Sequence, residues 1–386
     1  MHTLDAFAQE KLNELARRNL RRTLTGTLRE GGIWVERGGR RLLSFSCNDY
    51  LNLSQHPEIK QAAAAAVERY GVGSGASRLI TGNHPLYEAL EARLARIKGS
   101  EAAVVFGSGY LANAGIIPVL IGREGLVLVD ELAHACIFAG AELSRGRVLA
   151  FRHNDVAHAR ELLVAHRGEH DRALIVTDGV FSMDGDLAPL ADLNDLANAH
   201  DAWLMSDDAH GLGVVGGGRG SSFYGNAHVA VPLQMGTLSK AVGAYGGYLC
   251  ASAAVIELMR NRSRTLIYST GLPPPIVAAA IAALDVIERE PGYAARPVEK
   301  AKHFTRMLDL PEAQSPIVPV IVGDAARALE ASRLIENEGF LAVAIRPPTV
   351  PAGTSRLRFA FTAQHPDEAI DRLATIVRDK VMVRKR

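Results

Sequence analysis

Apolar positions along the chain fall into two rhythms. From about residue 100 onward, short solid apolar runs alternate with longer segments in which apolar residues recur every three or four positions. The runs AAVVF (102–106), LVLVD (126–130), RVLAF (147–151), ALIVTD (173–178), WLMSDD (203–208) and VPLQM (231–235) have strand length and predict buried strands. Segments between them, such as LADLNDLANAH, have helical period. Buried strands joined by helices imply the α/β class, with a mostly parallel sheet and helices on both faces. One stretch, Ala102 to Gly122, has no charged side chain and approaches the roughly 20 residues of a membrane span. Gly107-Ser108-Gly109, Asn113 and Pro118 interrupt it, so it reads as strand, turn and buried helix, and no membrane association is expected.

After about residue 280 the rhythm changes. The helical run PIVAAAIAALDVIERE precedes IVPVIVGD, the helical ARALEASRLIENEG, then LAVAIRPPTV, SRLRFAF and a last helix from Pro366, which together predict a smaller α+β unit. At the other end, MHTLDAFAQEKLNELARRNLRR carries Asp5, Glu10 and Glu14 and has neither the apolar core of a secretory signal nor the acid-poor character of a transit peptide. It reads as a surface helix. The expected division is an N-terminal helical arm over 1–45, a large domain over 46–283 and a small C-terminal domain over 284–386.

Composition narrows the partners. The 386 residues are 48% hydrophobic with a formal net charge of +1, which offers no bulk attraction to nucleic acid or to an acidic membrane. Small-molecule partners are expected. The three cysteines (Cys47, Cys136, Cys250) lack CxxC spacing, which argues against a disulfide framework or a cysteine metal site and fits a reducing cytoplasm.

Ligands of doubly wound sheets bind beyond the carboxyl ends of the strands, so the residues there are the candidates for chemistry. After AAVVF comes GSGYLANAG, a glycine turn opening a helix. It is either a tight turn alone or a cradle whose free N–H groups suit a phosphate. It lacks the lysine of a nucleotide triphosphate loop, and the second glycine cluster, YGVGSGAS, follows a helix and fails the context of a dinucleotide fingerprint. His134 lies just past LVLVDE, as a structural residue or as a ring that stacks on a flat cofactor. Ser182 and Asp184 lie in the loop after ALIVTD, and Asp207 and His210 end WLMSDDAH, which alone has too few ligands for a metal. His153 with His158, and His166 with His170, read as solvated faces.

Lys240, in GTLSKAVGAYGGY, stands among small residues just past the last of these strands. An unperturbed lysine, with a pKa of roughly 10.4, is a poor nucleophile at neutral pH, whereas a desolvated one can form a Schiff base. The small neighbours leave room for a planar ring, Asp207 could keep a pyridine nitrogen protonated, and Thr237 and Ser239 add hydroxyls for a phosphate. Lysine, acid, stacking ring and phosphate turn at successive strand ends point to pyridoxal 5'-phosphate.

The chain resembles the α-oxoamine synthases, pyridoxal-phosphate enzymes of the aspartate aminotransferase fold (fold type I). The resemblance runs through FSCNDYLNLS, GVGSGASRLITGNHPLYEALE, DGVFSMDGDLAPL, DDAHGLGVVGGGRG, TLSKAVGAYGGY and IRPPTVPAGTSRLR. It implies Lys240 as the covalent anchor and base, Asp207 at the pyridine nitrogen, His134 on the ring, and Ser182 and His210 near the ring hydroxyl. It further implies Ser108, Gly109, Tyr110 and Thr237 at the phosphate, joined by Thr270 from a second subunit of a homodimer. Asn48 and Arg356 would face the amino acid, Arg356 because its fork matches a carboxylate, and Arg22 the acyl end. The implied reaction is a decarboxylative condensation of L-alanine with a pimeloyl thioester of coenzyme A or an acyl-carrier protein, in biotin biosynthesis. Glycine-using synthases of the same chemistry are the nearest alternative, and a non-catalytic cofactor-binding regulator or assembly subunit the alternative of another class. Tyr110 and Cys136 stand where the family often has phenylalanine and serine.

Overall fold

The computed structural model describes residues 3–225 and 227–382. Thr3–Arg17 is a helix with no buried side chain. The arm also contains an antiparallel meander, Thr27–Glu30 (β1), Trp34–Arg37 (β2) and Arg40–Ser44 (β3). Its second turn is Gly38-Gly39 with both φ positive, the conformation that a two-residue hairpin requires. Strands of four or five residues, bearing four arginines, leave no apolar run for a periodicity reading to find.

Seven strands form the central sheet: Ala102–Phe106 (β4), Leu126–Asp130 (β5), Arg147–Phe151 (β6), Ala173–Asp178 (β7), Trp203–Asp207 (β8), Leu233–Thr237 (β9) and Gly247–Ala251 (β10). Their order is β4-β10-β9-β8-β7-β5-β6, and all are parallel except β10, which runs antiparallel between β4 and β9. β10 was not among the expected strands, and two glycines, Gly246 and Gly247, lead into it. Those glycines have a steric reason: a Cβ on Gly247 would sit 2.5 Å from the Ser108 carbonyl oxygen, where β10 passes the glycine turn after β4.

Alternation along the strands decides which way each terminal side chain points. Val127, Val129, Leu174, Val176, Met205, Leu233 and Met235 pack on one face, with helices Gly109–Leu120, Ala135–Ser144 and Ala253–Arg262. Leu126, Leu128, Ala173, Ile175 and Leu204 pack on the other, with helices Val156–His166 and Leu190–Ala199. Continuing the period by one step puts Asp178, Asp207 and Thr237 on the first face at the strand ends, and Asp130 on the second. In the ladder Asp178 is paired with Asp207, and Asp207 with Met235.

The helices Pro274–Arg289 and Pro291–Met307 lead into a second sheet of Ile317–Gly323 (β11), Val343–Ile345 (β13) and Ser355–Ala360 (β14), with Phe340–Leu341 (β12) leaving it to pair with β3. Ile33, Leu43 and Phe45 of the N-terminal segment share an apolar cluster with Phe304, Phe359 and Phe361. The meander therefore packs with the C-terminal unit. Among the described residues, no helix is long and apolar enough to cross a membrane.

One buried ion pair anchors the site from behind. Lys98, wholly buried at the end of helix Leu86–Lys98, places its Nζ 2.6 Å from Asp208 Oδ2 and donates to the Arg219 carbonyl at 2.8 Å. Removing one member of such a pair strands the other charge, so Lys98→Ala is expected to lower stability by about 3–5 kcal/mol. Denaturant titration of the cofactor-free protein measures this, and an unshifted midpoint contradicts it.

Candidate active site

The aligned strand ends open onto a cavity of about 210 Å³, lined among others by Gly109, Tyr110, His134, Ser182, Asp207, His210, Thr237 and Lys240. Lys240 lies three residues past the end of β9. Burial is the main cause that draws its ammonium pKa down to about 8, against the opposing pull of the carboxylates Asp207 and Asp178. A sizeable fraction of this amine is therefore free base near neutral pH.

Asp207 is buried and held at both oxygens. Oδ2 accepts from Asn113 Nδ2 at 2.8 Å and Oδ1 from the Ala209 amide at 3.0 Å. Its ladder neighbour Asp178 is pushed well above the usual carboxylate range by burial and then by the Asp207 charge, so it favours the protonated state beside Asp207.

His134 caps the helix Ala135–Ser144. Its Nδ1 accepts from the Cys136 amide at 3.3 Å and meets Cys136 Sγ at 2.8 Å, which leaves the proton on Nε2. Burial lowers its pKa, with Asp207 opposing, so the ring is favoured neutral. His210 is also neutral, driven well below its ordinary value by burial and then by the Lys240 charge. Its Nδ1 lies 2.7 Å from the Tyr50 hydroxyl, which takes a long hydrogen bond from Arg358 Nη2 at 3.4 Å. The Tyr50 hydroxyl also reaches Asn48 Oδ1 at 3.4 Å; with its single proton on the much shorter contact to His210 Nδ1, Nε2–H is the free donor of that ring.

At the opposite end, Ser108 caps the helix Gly109–Leu120 and its Oγ accepts from the Leu111 amide at 3.2 Å. Gly109 packs beside Met235 and Thr237, and Tyr110 is exposed at the rim. The Thr237 hydroxyl donates to the Gly246 carbonyl at 2.6 Å. The arrangement offers a helix N-terminus for an anion, then a slot with imidazole rings, then an amine and a carboxylate.

The aminotransferase class I and II model matches residues 40–377. The 8-amino-7-oxononanoate synthase of Methylocella silvestris is 67% identical over 347 residues, covering 90% of this chain and 99% of that protein.

The chain belongs to the 8-amino-7-oxononanoate synthase family.

Among solved structures, the 8-amino-7-oxononanoate synthase of Francisella tularensis superposes with a TM-score of 0.76 at 25% identity, over 88% of this chain and 98% of that one. A serine palmitoyltransferase from S. paucimobilis, with PLP and myriocin bound, superposes with a TM-score of 0.91 at 26% identity, over 98% of both chains. Members of the 8-amino-7-oxononanoate synthase family are PLP-dependent acyltransferases of fold type I. The residues here fit that cofactor: a partly deprotonated lysine for its aldehyde, a buried carboxylate with lone pairs to spare for its ring nitrogen, and a capped helix N-terminus for its phosphate.

Not every candidate converges on this cavity. Thr270 is exposed, bridged to Ser77, and lies outside the lining. Asn48 is half-buried with Tyr50 at 3.4 Å. Arg356 is buried on β14, paired with Asp184 and donating to the Met183 carbonyl at 3.2 Å, so Nη1 of its fork is already engaged. Arg22 lines a separate cavity of about 670 Å³ with Arg346 and Thr349, and donates to Thr349 Oγ1 at 3.1 Å.

Other contacts were unforeseen. Asn113 is the one amide in the apolar helix GYLANAGIIPVL, a full turn past Gly109, and that isolation was a readable signal. Asp178 ends its strand as Asp207 does and could also have been found. Tyr50 and Arg358 reach His210 and Ser182 from far along the chain, with no sequence signal. His153 was expected on a solvated face, yet both its ring nitrogens lie on aspartates, Asp130 and Asp186. The solvated reading fails because residues 152–155 turn back over the sheet end instead of continuing a helix.

Proposed function

We propose that this chain condenses L-alanine with a pimeloyl thioester, releasing carbon dioxide and the free thiol and giving 8-amino-7-oxononanoate. The observation that carries the reading is the Lys240 amine facing the same cavity as the buried Asp207 carboxylate. The 67% identity with a named synthase supports the choice of product within the family.

Bound in this slot, PLP supplies an electron sink that makes the α-carbon of an amino acid acidic. Asp207, oriented by Asn113 and the Ala209 amide, would hold the proton on the ring nitrogen. His134 would present a flat neutral face to the ring, and His210 would donate to the ring oxygen. Lys240 removes the α-proton of alanine, and its lowered pKa suits a base working near neutral pH. After carbon–carbon bond formation and loss of carbon dioxide, Lys240 would return its proton to the same carbon.

Arg356 receives the alanine carboxylate by exchanging Asp184 for it, a like-for-like replacement of one carboxylate by another. Arg22 and Arg346 take the acyl end. Neither has a carboxylate partner among the described residues, and the charge of Arg22 adds to burial in lowering the Arg346 pKa, so the pair favours an anionic or carbonyl group between them. A second copy of the chain brings Thr270 to the phosphate end. The exposed Leu79, Ile80 and Tyr268 near Thr270 support such a contact.

Product masses after mixing L-alanine or glycine with pimeloyl thioesters of coenzyme A and of carrier protein test the reading. Mass gain matching 8-amino-7-oxononanoate, from alanine in preference to glycine, is expected. Because one methyl group is worth only about 1–3 kcal/mol in a pocket, some glycine product is compatible, whereas product from glycine alone is not.

A further inference from the structure

His153 lies outside the cavity, and no step above uses it. It follows β6, where the chain turns into the helix Val156–His166. Its Nδ1 lies 3.1 Å from Asp130 Oδ1 and its Nε2 2.8 Å from Asp186 Oδ2, with the Phe181 ring edge-on at 4.3 Å. Asp130 is completely buried. A neutral imidazole has one N–H and can donate to only one of two flanking carboxylates, so this placement suits the doubly protonated ring.

Each carboxylate stands at or in a segment that builds the active site. Asp130 ends β5, and its oxygens also accept from the Leu132 amide at 2.9 Å and the Asn154 amide at 2.8 Å, shaping the turn that delivers His134. Asp186 belongs to the loop 179–187 after β7, which carries Ser182 and Asp184. On its far side that loop is gripped by the small unit: Arg358 Nε donates to the Ser182 carbonyl at 2.5 Å, Arg356 holds Asp184, and Gln314 Oε1 accepts from the Leu187 amide at 2.9 Å. Gly185, at φ +79°, lies so near the Ile317 carbonyl that a Cβ there would approach to 2.2 Å. On its near side the loop is held by His153 and by Asn154, whose Nδ2 donates to Asp186 Oδ2 at 3.0 Å.

Resting on the proposed function above, we propose that His153 is a positioning residue for the condensation, an imidazolium that ties the loop carrying His134 to the loop carrying Ser182 and Asp184. Burial acts to lower its pKa, but the hydrogen bonds to Asp130 and Asp186 outweigh this and raise it to about 10. The ring therefore stays charged through neutral pH and loses its proton as pH rises through about 10. The other charged groups around it are accounted for: Glu131 accepts from the His153 amide at 3.1 Å, Arg152 pairs with Asp155 at 2.8 Å, and His158 Nδ1 accepts from the Arg152 amide.

The test is His153→Gln in the full chain, since one amide cannot donate to both carboxylates. Binding of PLP, followed by absorbance, is expected to weaken about tenfold or more, and KM for the amino acid to rise similarly, with kcat at saturation changed less than about threefold. If that variant does not fold, Asp186→Asn, which leaves one carboxylate in place, is expected to shift the same constants in the same direction by a smaller factor. By nitrogen NMR of the wild-type protein at pH 8, His153 is expected to carry both ring protons. A neutral ring at that pH, or PLP affinity and KM within twofold of wild type, overturns the proposal. PLP affinity does not depend on which amino acid or thioester is used, so an error in the substrate reading leaves that arm of the test intact.

Discussion

Lys240→Ala is expected to abolish covalent attachment of PLP to the chain and to lower turnover by about 10²–10⁴-fold or more, the range set by removal of a positioned proton-transfer group. The nitrogen removed is both anchor and base, so external amines cannot restore both roles at once. Reduction with borohydride followed by intact mass is the direct readout: wild-type protein gains the cofactor mass and the variant does not. Retained covalent cofactor in the variant contradicts the assignment. The depressed pKa gives a second check on the cofactor-free protein. Capture of the PLP aldehyde requires the unprotonated amine, so its rate is expected to rise with pH through about 8 and then level off. Between pH 7 and pH 9 that is a gain of about tenfold, whereas an unperturbed lysine would keep gaining beyond pH 10.

Asp207→Asn is expected to keep the cofactor attached yet reduce turnover by about 10²–10³-fold, as when a preorganised charge is taken from a developing one. The amide fills the same space between Asn113 and the Ala209 amide but cannot hold a proton on the ring nitrogen. Cofactor stoichiometry and kcat measured on the same sample separate the two effects. A variant that turns over within tenfold of wild type shows that the carboxylate is not the partner of the ring nitrogen.

Much of the site was legible because a parallel sheet sorts its chemistry by position. Asp207 ends an apolar run, and alternation along that run decides the face on which its side chain emerges, while Lys240 lies three residues past the end of another. His134 and Ser108 were legible for a related reason, since each stands where a strand gives way to a helix and becomes the cap of that helix. Asn113 and Asp178 follow the same logic and were overlooked because each has a satisfactory local reading as a helix or strand residue. β10 and the arm meander were not legible, because their pairing partners are remote and their glycines and arginines mimic loop composition.

Arg356 and His153 show the limit from the other direction. A guanidinium suited to a substrate carboxylate instead holds Asp184, and a histidine in a polar stretch instead spans two aspartates from separate loops. By itself, the sequence determined the α/β class, the alternation of strands and helices from β4 to β9, and the identities of the amine, acid and rings at the strand ends, because these follow from local periodicity and residue chemistry. Only the tertiary structure decided the insertion of β10, the docking of the arm on the small unit and the pairings made by Tyr50, Arg358, Arg356 and His153. These depend on contacts between residues distant along the chain, whose geometry no local pattern encodes.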